Sequence, residues 1–464
     1  MSLIKSFSGI RGIYGKDLTE NIAIRYAYSY CSFLQRKLKK KNPLVVIGTD
    51  TRPSGNKLSD AIMGILDCSF IDVGIAPTPT IEFAVRHFCA DGGIIITASH
   101  NEPYYNGFKF LGASGAVLSE KDMQAVINGA RQLKNFHKIQ ERKIYEGNTE
   151  AVKNYFKFLL GTVGSKNTDK IKNSGQSIVI DPNGGTGAIA KKLLEQIGVR
   201  VAAVNMPYGE FNRKVEPNED SLFYLKNVMD SGKSDFAAGF DCDADRVEIL
   251  LKSGQLLSGN QILALIADEI LSNAKNPKSE TVVVNDATSN SVRDIARKFG
   301  AKLIEAEVGE ANVVCEMERR RAILGGEGSS GGVIIPPSKC RDGILTLLMV
   351  LSIVAERQKK IEDIIGGLPK YCNLKRKMEF AASRHNSIKK SIKNYYSGRG
   401  FEIKETGGVQ GSLKVITGSS SFAWFRASRT EGGIFRIITD SNKKEEAESL
   451  MEEAVGIFEK ANKL

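Results

Sequence analysis

Short apolar runs rich in β-branched residues recur along the chain. Leu44-Val45-Val46-Ile47, Ile94-Ile95-Ile96, Ile178-Val179-Ile180 and Val282-Val283-Val284 are each followed by Gly, Asp, Thr or Asn. A continuous apolar run bounded by such residues is the pattern of a strand buried on both faces. Between the runs, apolar residues recur at helical spacing over 58–66, 188–197, 262–271 and 292–299. Strands alternating with helices predict βαβ units and mainly parallel sheets. The pattern changes after about residue 370. Alternating segments at 413–417 and 422–426 then precede a helix over 444–460. The expected organisation is three α/β units of similar size and a smaller α+β unit. Breaks are expected in the polar stretch 165–174, near 251–258 and near 366–377.

With 464 residues, the chain is too long for one core. Its 42% hydrophobic and 25% charged residues are ordinary for a globular protein. No apolar stretch reaches the roughly 18 residues that span a bilayer, and residues 1–7 lack the apolar core of a secretory signal. Seven scattered cysteines without a C-x-x-C pair fit reduced thiols. Cytoplasmic residence without a membrane partner is therefore expected. The net charge of +12 is spread along the chain. Its densest basic run, 36–41, closes a helix-like segment, where cations are routine. No nucleic-acid partner is expected, and a positive field would help attract a small dianion.

The strand ends carry the residues with chemistry. Ile94-Ile95-Ile96 delivers Thr97-Ala98-Ser99-His100-Asn101, a hydroxyl beside an imidazole. In open α/β sheets, ligands sit outside the carboxyl ends of strands, so Ser99 is a candidate nucleophile. Far along the chain, Ala237-Ala238-Gly239-Phe240 delivers Asp241-Cys242-Asp243-Ala244-Asp245-Arg246. Three alternating carboxylates can converge on one point, where they repel unless a cation neutralises them. All-oxygen ligation favours Mg²⁺. Arg246 can offset charge or grip a phosphoryl oxygen. In Gly325-Gly326-Glu327-Gly328-Ser329-Ser330-Gly331-Gly332, glycines let backbone approach a ligand, and Glu327 and the serines suit sugar hydroxyls. In Arg426-Ala427-Ser428-Arg429-Thr430-Glu431, an arginine and two hydroxyls can surround one anion. The loops 8–12 and 48–54 each place an arginine, Arg11 or Arg52, among small residues. Lys109, which follows Asn106-Gly107-Phe108, lies close in sequence to Ser99 and could reach the same cleft, although such arginines and lysines are ordinarily surface cations. His87, His137 and His385 have no metal-like spacing.

In this order, the loops resemble those of the α-D-phosphohexomutases, a family of phosphoglucomutases, phosphomannomutases and phosphoglucosamine mutases. The resemblance covers nearly the whole chain. It implies four domains around a central cleft: three related α/β domains with mixed sheets and a C-terminal α+β domain of the TATA-box-binding-protein-like type. The corresponding divisions are 1–150, 151–255, 256–370 and 371–464. The resemblance also implies that Ser99 carries a phosphoryl group and exchanges it with a hexose 1- or 6-phosphate through a sugar bisphosphate. Asp241, Asp243, Asp245 and a phosphoserine oxygen would hold one Mg²⁺. His100 and Lys109 would move protons, and Arg11 and Arg246 would steady phosphoryl charge. Glu327 and Ser329 would bind sugar hydroxyls, and Arg426, Ser428 and Thr430 a distal phosphate.

Glucose or mannose phosphates are the expected substrates, glucosamine phosphate the alternative, and a monomer or homodimer the expected assembly. Two other classes share part of the pattern: a serine phosphatase and a non-catalytic phosphosugar-binding protein. A hydrolase of small phosphomonoesters has no use for a second phosphate site. The chain departs from the family pattern at Glu102, usually Pro, and at Cys242, usually Gly. The cysteine has to fit without blocking the metal, and it makes the loop a candidate for oxidation. Ala306 stands where Thr is usual, Gly432 where Pro is usual, and the sugar loop is one residue longer.

Overall fold

The computed structural model describes residues 3–6, 9–65, 68–133, 143–428 and 433–463. Thr430 and its neighbours Arg429, Glu431 and Gly432 lie outside the described residues, as does Ser8. The chain divides into two compact units. The first comprises 1–258 and 330–364, the second 259–329 and 365–464.

The first unit holds two sheets. One has seven strands in the order Ile4–Ser6, Gly9–Ile13, Tyr105–Gly112, Gly92–Ile96, Leu44–Thr49, Ser69–Ile75 and Ile144–Glu146. The last four pair in parallel, and the first three run antiparallel. Its faces are buried by two apolar clusters, one under helices Glu20–Leu38 and Glu120–Gln132, the other under helix Thr78–His87. The predicted runs at 44–47 and 94–96 are strands of this sheet. The segment Asn106 to Lys109 lies on strand Tyr105–Gly112. Its antiparallel pairing makes the sheet mixed, as the family resemblance implies, rather than mainly parallel as the apolar pattern alone suggests. The chain leaves Ile96, turns through 97–104 and returns so that Lys109 lies opposite Ile95, with Arg11 paired to Gly107 one strand further out. Gly107 is required by that approach: a Cβ there would sit 2.2 Å from the carbonyl oxygen of Ile10.

The second sheet of this unit has five strands in the order Leu256–Leu257, Val247–Leu251, Phe236–Phe240, Ser177–Asp181 and Arg200–Ala203. Phe236–Phe240 pairs in parallel with Ser177–Asp181 and antiparallel with Val247–Leu251. The turn between Phe236–Phe240 and Val247–Leu251 contains the three aspartates. The polar stretch 165–174 is helix Ser165–Ser174, not an irregular linker. Its one buried residue, Ile171, faces inward, and helix Gly343–Arg357 packs on it.

In the second unit, parallel strands Lys302–Ala306, Thr281–Asn285 and Leu324–Gly326 lie side by side, flanked by helices Gly259–Asn273, Asn290–Phe299 and Glu310–Arg320. Its other sheet is antiparallel, in the order Cys372–Glu379, Ile434–Ser441, Ser421–Ala427, Leu413–Gly418 and Glu402–Glu405. Helices His385–Gly398 and Lys444–Lys463 cover one face over a core that includes Tyr396, Phe425, Phe435 and Phe458. The predicted C-terminal α+β unit is this sheet and its helices. No helix among the described residues is long and apolar enough to cross a membrane.

Candidate active site

Ser99 follows the buried strand Gly92–Ile96 in a left-handed conformation, φ +52°. That region is sparsely populated by residues other than glycine and persists only where neighbours enforce it. Here the enforcement is visible. The backbone N–H of Ser99 donates to Thr97 Oγ1 at 2.8 Å, and Thr97 Oγ1 donates to Asp50 Oδ2 at 2.6 Å. Asp50 also pairs with Arg52 Nε at 3.0 Å. From there the guanidinium spans the serine loop. Its Nη2 donates to the carbonyls of Ser99 (2.7 Å) and Asn101 (2.5 Å), and its Nη1 to those of Glu102 (2.6 Å) and Tyr105 (3.1 Å). All five guanidinium N–H donors are thereby used.

Arg52 is thus a buried clamp, 2% exposed, rather than the surface cation expected of its loop. Burial pulls the guanidinium pKa down, but Asp50, Cys242 and Asp243 together outweigh it and raise it.

The aspartate loop reaches Ser99 from the five-stranded sheet. Asp241, Asp243 and Asp245 are at most 1% exposed, and each offers a carboxylate oxygen within 4.8 Å of the others. Ala244 between them is left-handed, φ +53°, and its N–H donates to the carbonyl of Asp241 at 3.2 Å. Ser99 Oγ donates to Asp241 Oδ2 at 3.4 Å. Thr78, opening helix Thr78–His87, donates its hydroxyl to Asp243 Oδ2 at 2.7 Å and its N–H to the Asp243 carbonyl at 2.9 Å. The other oxygens of Asp243 and Asp245, both Oδ1, are buried and accept no hydrogen bond. Buried carboxylate oxygens without a donor are costly. Two such atoms in an all-oxygen cluster fit a hard divalent cation.

Cys242 leaves room for one. Its Sγ turns to Thr51 Oγ1 at 3.6 Å, and its carbonyl is held by Thr186. Burial pushes the thiol pKa well up, which disfavours the thiolate that oxidation requires.

Four cationic side chains surround the carboxylates. Lys109 Nζ lies 3.0 Å from Asp243 Oδ2 and 3.4 Å from Asp245 Oδ2, so it too is no surface cation. Arg246 Nε lies 3.8 Å from Asp241 Oδ2 and 3.6 Å from Asp245 Oδ1. Arg341 Nη2 reaches Asp245 Oδ2 at 3.3 Å, and its Nη1 donates to Ser330 Oγ at 3.2 Å. Arg11 donates to Asn101 Oδ1 at 3.0 Å. Arg341 is a site residue that the sequence pattern did not single out. The fields diverge within the cluster. Burial and the two neighbouring aspartates push Asp241 well up. At Asp245, burial acts upward but is outweighed by Arg341, Lys109 and Arg246, which pull it well down. Burial first, then Arg246, lowers Arg11 to about 10. His100, with Nδ1 3.5 Å from Ser99 Oγ, is held neutral by Arg246, burial and Arg11.

The second unit holds the remaining candidates. Glu327 follows strand Leu324–Gly326 and is 7% exposed. Its Oε1 accepts from Asn285 Nδ2 at 2.8 Å and from the Gly309 N–H at 2.9 Å. Ser329 is exposed, whereas Ser330 is buried. Arg426, on strand Ser421–Ala427, lies beside Glu307, its Nη2 3.0 Å from Glu307 Oε1. The N–H of Ser428 donates to the Ile434 carbonyl at 2.8 Å.

A serine and three carboxylates in one buried cluster, reached from two α/β sheets, lead to the comparison with known proteins. Three phosphoglucomutase/phosphomannomutase models match the chain: α/β/α domain I over 3–136, domain II over 153–254 and domain III over 258–371. The chain belongs to the phosphoglucomutase/phosphomannomutase family. It is 34% identical to the phosphoglucomutase/phosphomannomutase of Thermococcus kodakarensis, with 98% of each chain covered. It is 30% identical to the phosphoglucosamine mutase of Methanococcus maripaludis, with 97% of each covered. A family protein from Burkholderia thailandensis shares the fold, with a TM-score of 0.83 at 20% identity over 99% of this chain and 97% of that one. The family architecture is three α/β/α domains and a C-terminal sheet-rich domain.

Proposed function

We propose that the chain is a phosphohexomutase that interconverts hexose 1- and 6-phosphates through phosphorylated Ser99 and a sugar bisphosphate. The observation that carries this reading is Ser99 Oγ at 3.4 Å from Asp241 within the buried aspartate cluster. Asp241, Asp243 and Asp245, with an oxygen of the phosphorylated serine, would hold one Mg²⁺, which supplies withdrawal of charge from the phosphoryl group.

The side chains divide the remaining work. A sugar hydroxyl oxygen attacks phosphorus, the bond from phosphorus to Ser99 Oγ breaks, and the hydroxyl proton passes to a base. His100, kept neutral, can accept it. Lys109, charged between Asp243 and Asp245, sits where it can return a proton. Arg11 and Arg246 steady the charge on the moving group. The bisphosphate then turns and returns its other phosphate to Ser99. Glu327 and Ser329 would bind sugar hydroxyls. Arg426, Ser428 and Thr430 would hold the distal phosphate, whose binding energy positions the reacting end.

The division at 1–150, 151–255, 256–370 and 371–464 is the organisation we favour. The three family matches run close to its first three parts. The chemistry calls for no nucleic acid and no membrane, and we infer a cytoplasmic enzyme.

Glucose and mannose phosphates are the first reading. Relatives at similar identity carry the phosphoglucosamine mutase name, which keeps glucosamine phosphate as the second. The deciding assay uses purified protein, Mg²⁺ and a trace of sugar bisphosphate on glucose, mannose and glucosamine 1-phosphates. Conversion to the 6-phosphate is expected, and the ratio of kcat/KM values selects the sugar. Release of free phosphate would indicate a phosphatase. Binding without turnover, with Ser99 shown to be phosphorylated, would indicate a binding protein. Asp243→Ala is expected to lower kcat/KM by about a thousandfold or more and to abolish Mg²⁺ binding in a calorimetric titration. Near-normal values for both would remove the metal assignment.

A further inference from the structure

Arg426 is accompanied by a carboxylate that the proposed reaction does not use. Glu307 lies between strand Lys302–Ala306 and helix Glu310–Arg320. Its Oε1 takes Arg426 Nη2 at 3.0 Å, while Arg426 Nη1 donates to the Val308 carbonyl at 3.4 Å. The pair is largely withdrawn from water: the arginine side chain is 7% exposed and the glutamate 17%. Gly407 makes the space, since a Cβ on its left-handed backbone would stand 2.2 Å from Glu307 Cδ. Two residues on, the Gly309 N–H holds Glu327 at 2.9 Å. One short segment therefore serves both the candidate sugar-loop carboxylate and the candidate phosphate-loop arginine.

We propose that Glu307 is a built-in competitor for the anion at Arg426, a charge that lowers the affinity of the distal phosphate site. The inference rests on the reading of Arg426 as that site. The argument is electrostatic. A guanidinium this buried needs anionic partners when no substrate is bound, and Glu307 is one. An incoming phosphate must share the same guanidinium with a carboxylate lodged against the Gly407 backbone. Like charges a few ångströms apart in a poorly hydrated site repel strongly. The cost falls on ground-state binding of every anion there, free phosphate included, and equally on the phosphate of a released product. Glu307 thus sets KM rather than the barrier of the phosphoryl step. It also keeps the site from being held by inorganic phosphate, which carries no sugar to add contacts elsewhere.

The test uses the full chain and inorganic phosphate as probe, as a titrant in calorimetry and as a competitive inhibitor of turnover. Glu307→Gln keeps the shape and the acceptor oxygen but removes the charge. It is expected to tighten phosphate binding about tenfold and to lower KM by a similar factor, with kcat unchanged or reduced by slower release. Glu307→Asp keeps the charge and is expected to stay within about threefold of the parent, which separates charge from packing. Arg426→Ala is expected to weaken phosphate binding and to raise KM in the same assays. Unchanged or weaker phosphate binding in Glu307→Gln, with the Arg426→Ala loss present, would overturn the competitor role and leave the site standing. No loss in Arg426→Ala would instead overturn the phosphate-site reading beneath it.

Discussion

Arg52 shows how much geometry one side chain can fix. Ser99 is left-handed, and nothing in its own chemistry favours that state. The four carbonyls that accept from Arg52 belong to Ser99, Asn101, Glu102 and Tyr105, so one planar group spans the whole turn. Lysine offers three donors from a single point and cannot span them. Arg52→Lys is expected to lower kcat by about 10- to 100-fold while KM stays within about twofold. The loss should appear equally with each hexose phosphate that turns over, because the clamp touches the loop and not the sugar. Steady-state kinetics on two substrates checks it, and a rise in KM with kcat intact would refute it. The Ser99 hydroxyl and the three aspartates, which the structure brings together, stood out in the sequence as candidates. The clamp did not, because an arginine in a Thr-Arg-Pro-Ser loop is ordinarily solvated. Only the fold of 97–105 around it supplies four carbonyls and removes the water. Lys109 reads as an ordinary surface cation from its neighbours alone for a related reason: its two carboxylates lie more than a hundred positions away in sequence, and only the family resemblance placed it with Ser99.

At the scale of elements, the alternation of buried strands and amphipathic helices was readable wherever an apolar run stood between turn-forming residues. The exceptions have a common cause. Strand Tyr105–Gly112 was hidden by its Asn-Gly start and by the lysine within it. Helix Ser165–Ser174 has a single buried residue to mark it. Helix Gly343–Arg357 carries a different signal. Its N-cap, Asp342, accepts from the Leu345 N–H at 2.9 Å and from Tyr155 Oη at 2.8–2.9 Å, and it is fully buried. Burial outweighs these hydrogen bonds and pushes the carboxyl up to about 7. A carboxyl raised in the folded state binds more protons there than in the unfolded chain. Its contribution is full below the ordinary carboxylate range and is lost as pH rises toward and through about 7. Asparagine caps a helix equally well and does not titrate. The stability of Asp342→Asn relative to the parent is therefore expected to increase from pH 5 to pH 8, by up to about 1.4 kcal/mol per pH unit. Urea unfolding at several pH values measures it. A difference that does not vary with pH would show that Asp342 is ionised throughout.

At the scale of the molecule, the family and the four-part organisation followed from the order of loops. The division into two compact units did not, because it depends on where residues 330–364 pack rather than on what they are. That division makes a prediction about ligands. Every candidate metal ligand, Ser99 and the three aspartates, lies in the first unit, together with Lys109, Arg246 and Arg341. A cation that binds only the folded cluster stabilises that unit by mass action, about 2.7 kcal/mol at a hundredfold excess over its dissociation constant. Calorimetry of the full chain is expected to resolve two components, of which Mg²⁺ raises one. Asp243→Ala should abolish that shift and leave the other component where it was. Hexose phosphate is the converse probe, because Glu327 and Arg426 lie in the second unit. Added to Asp243→Ala, it should still raise the component that Mg²⁺ leaves alone. If Mg²⁺ raised both components equally, the two units would unfold as one, and the metal's influence would not be confined to the unit that binds it.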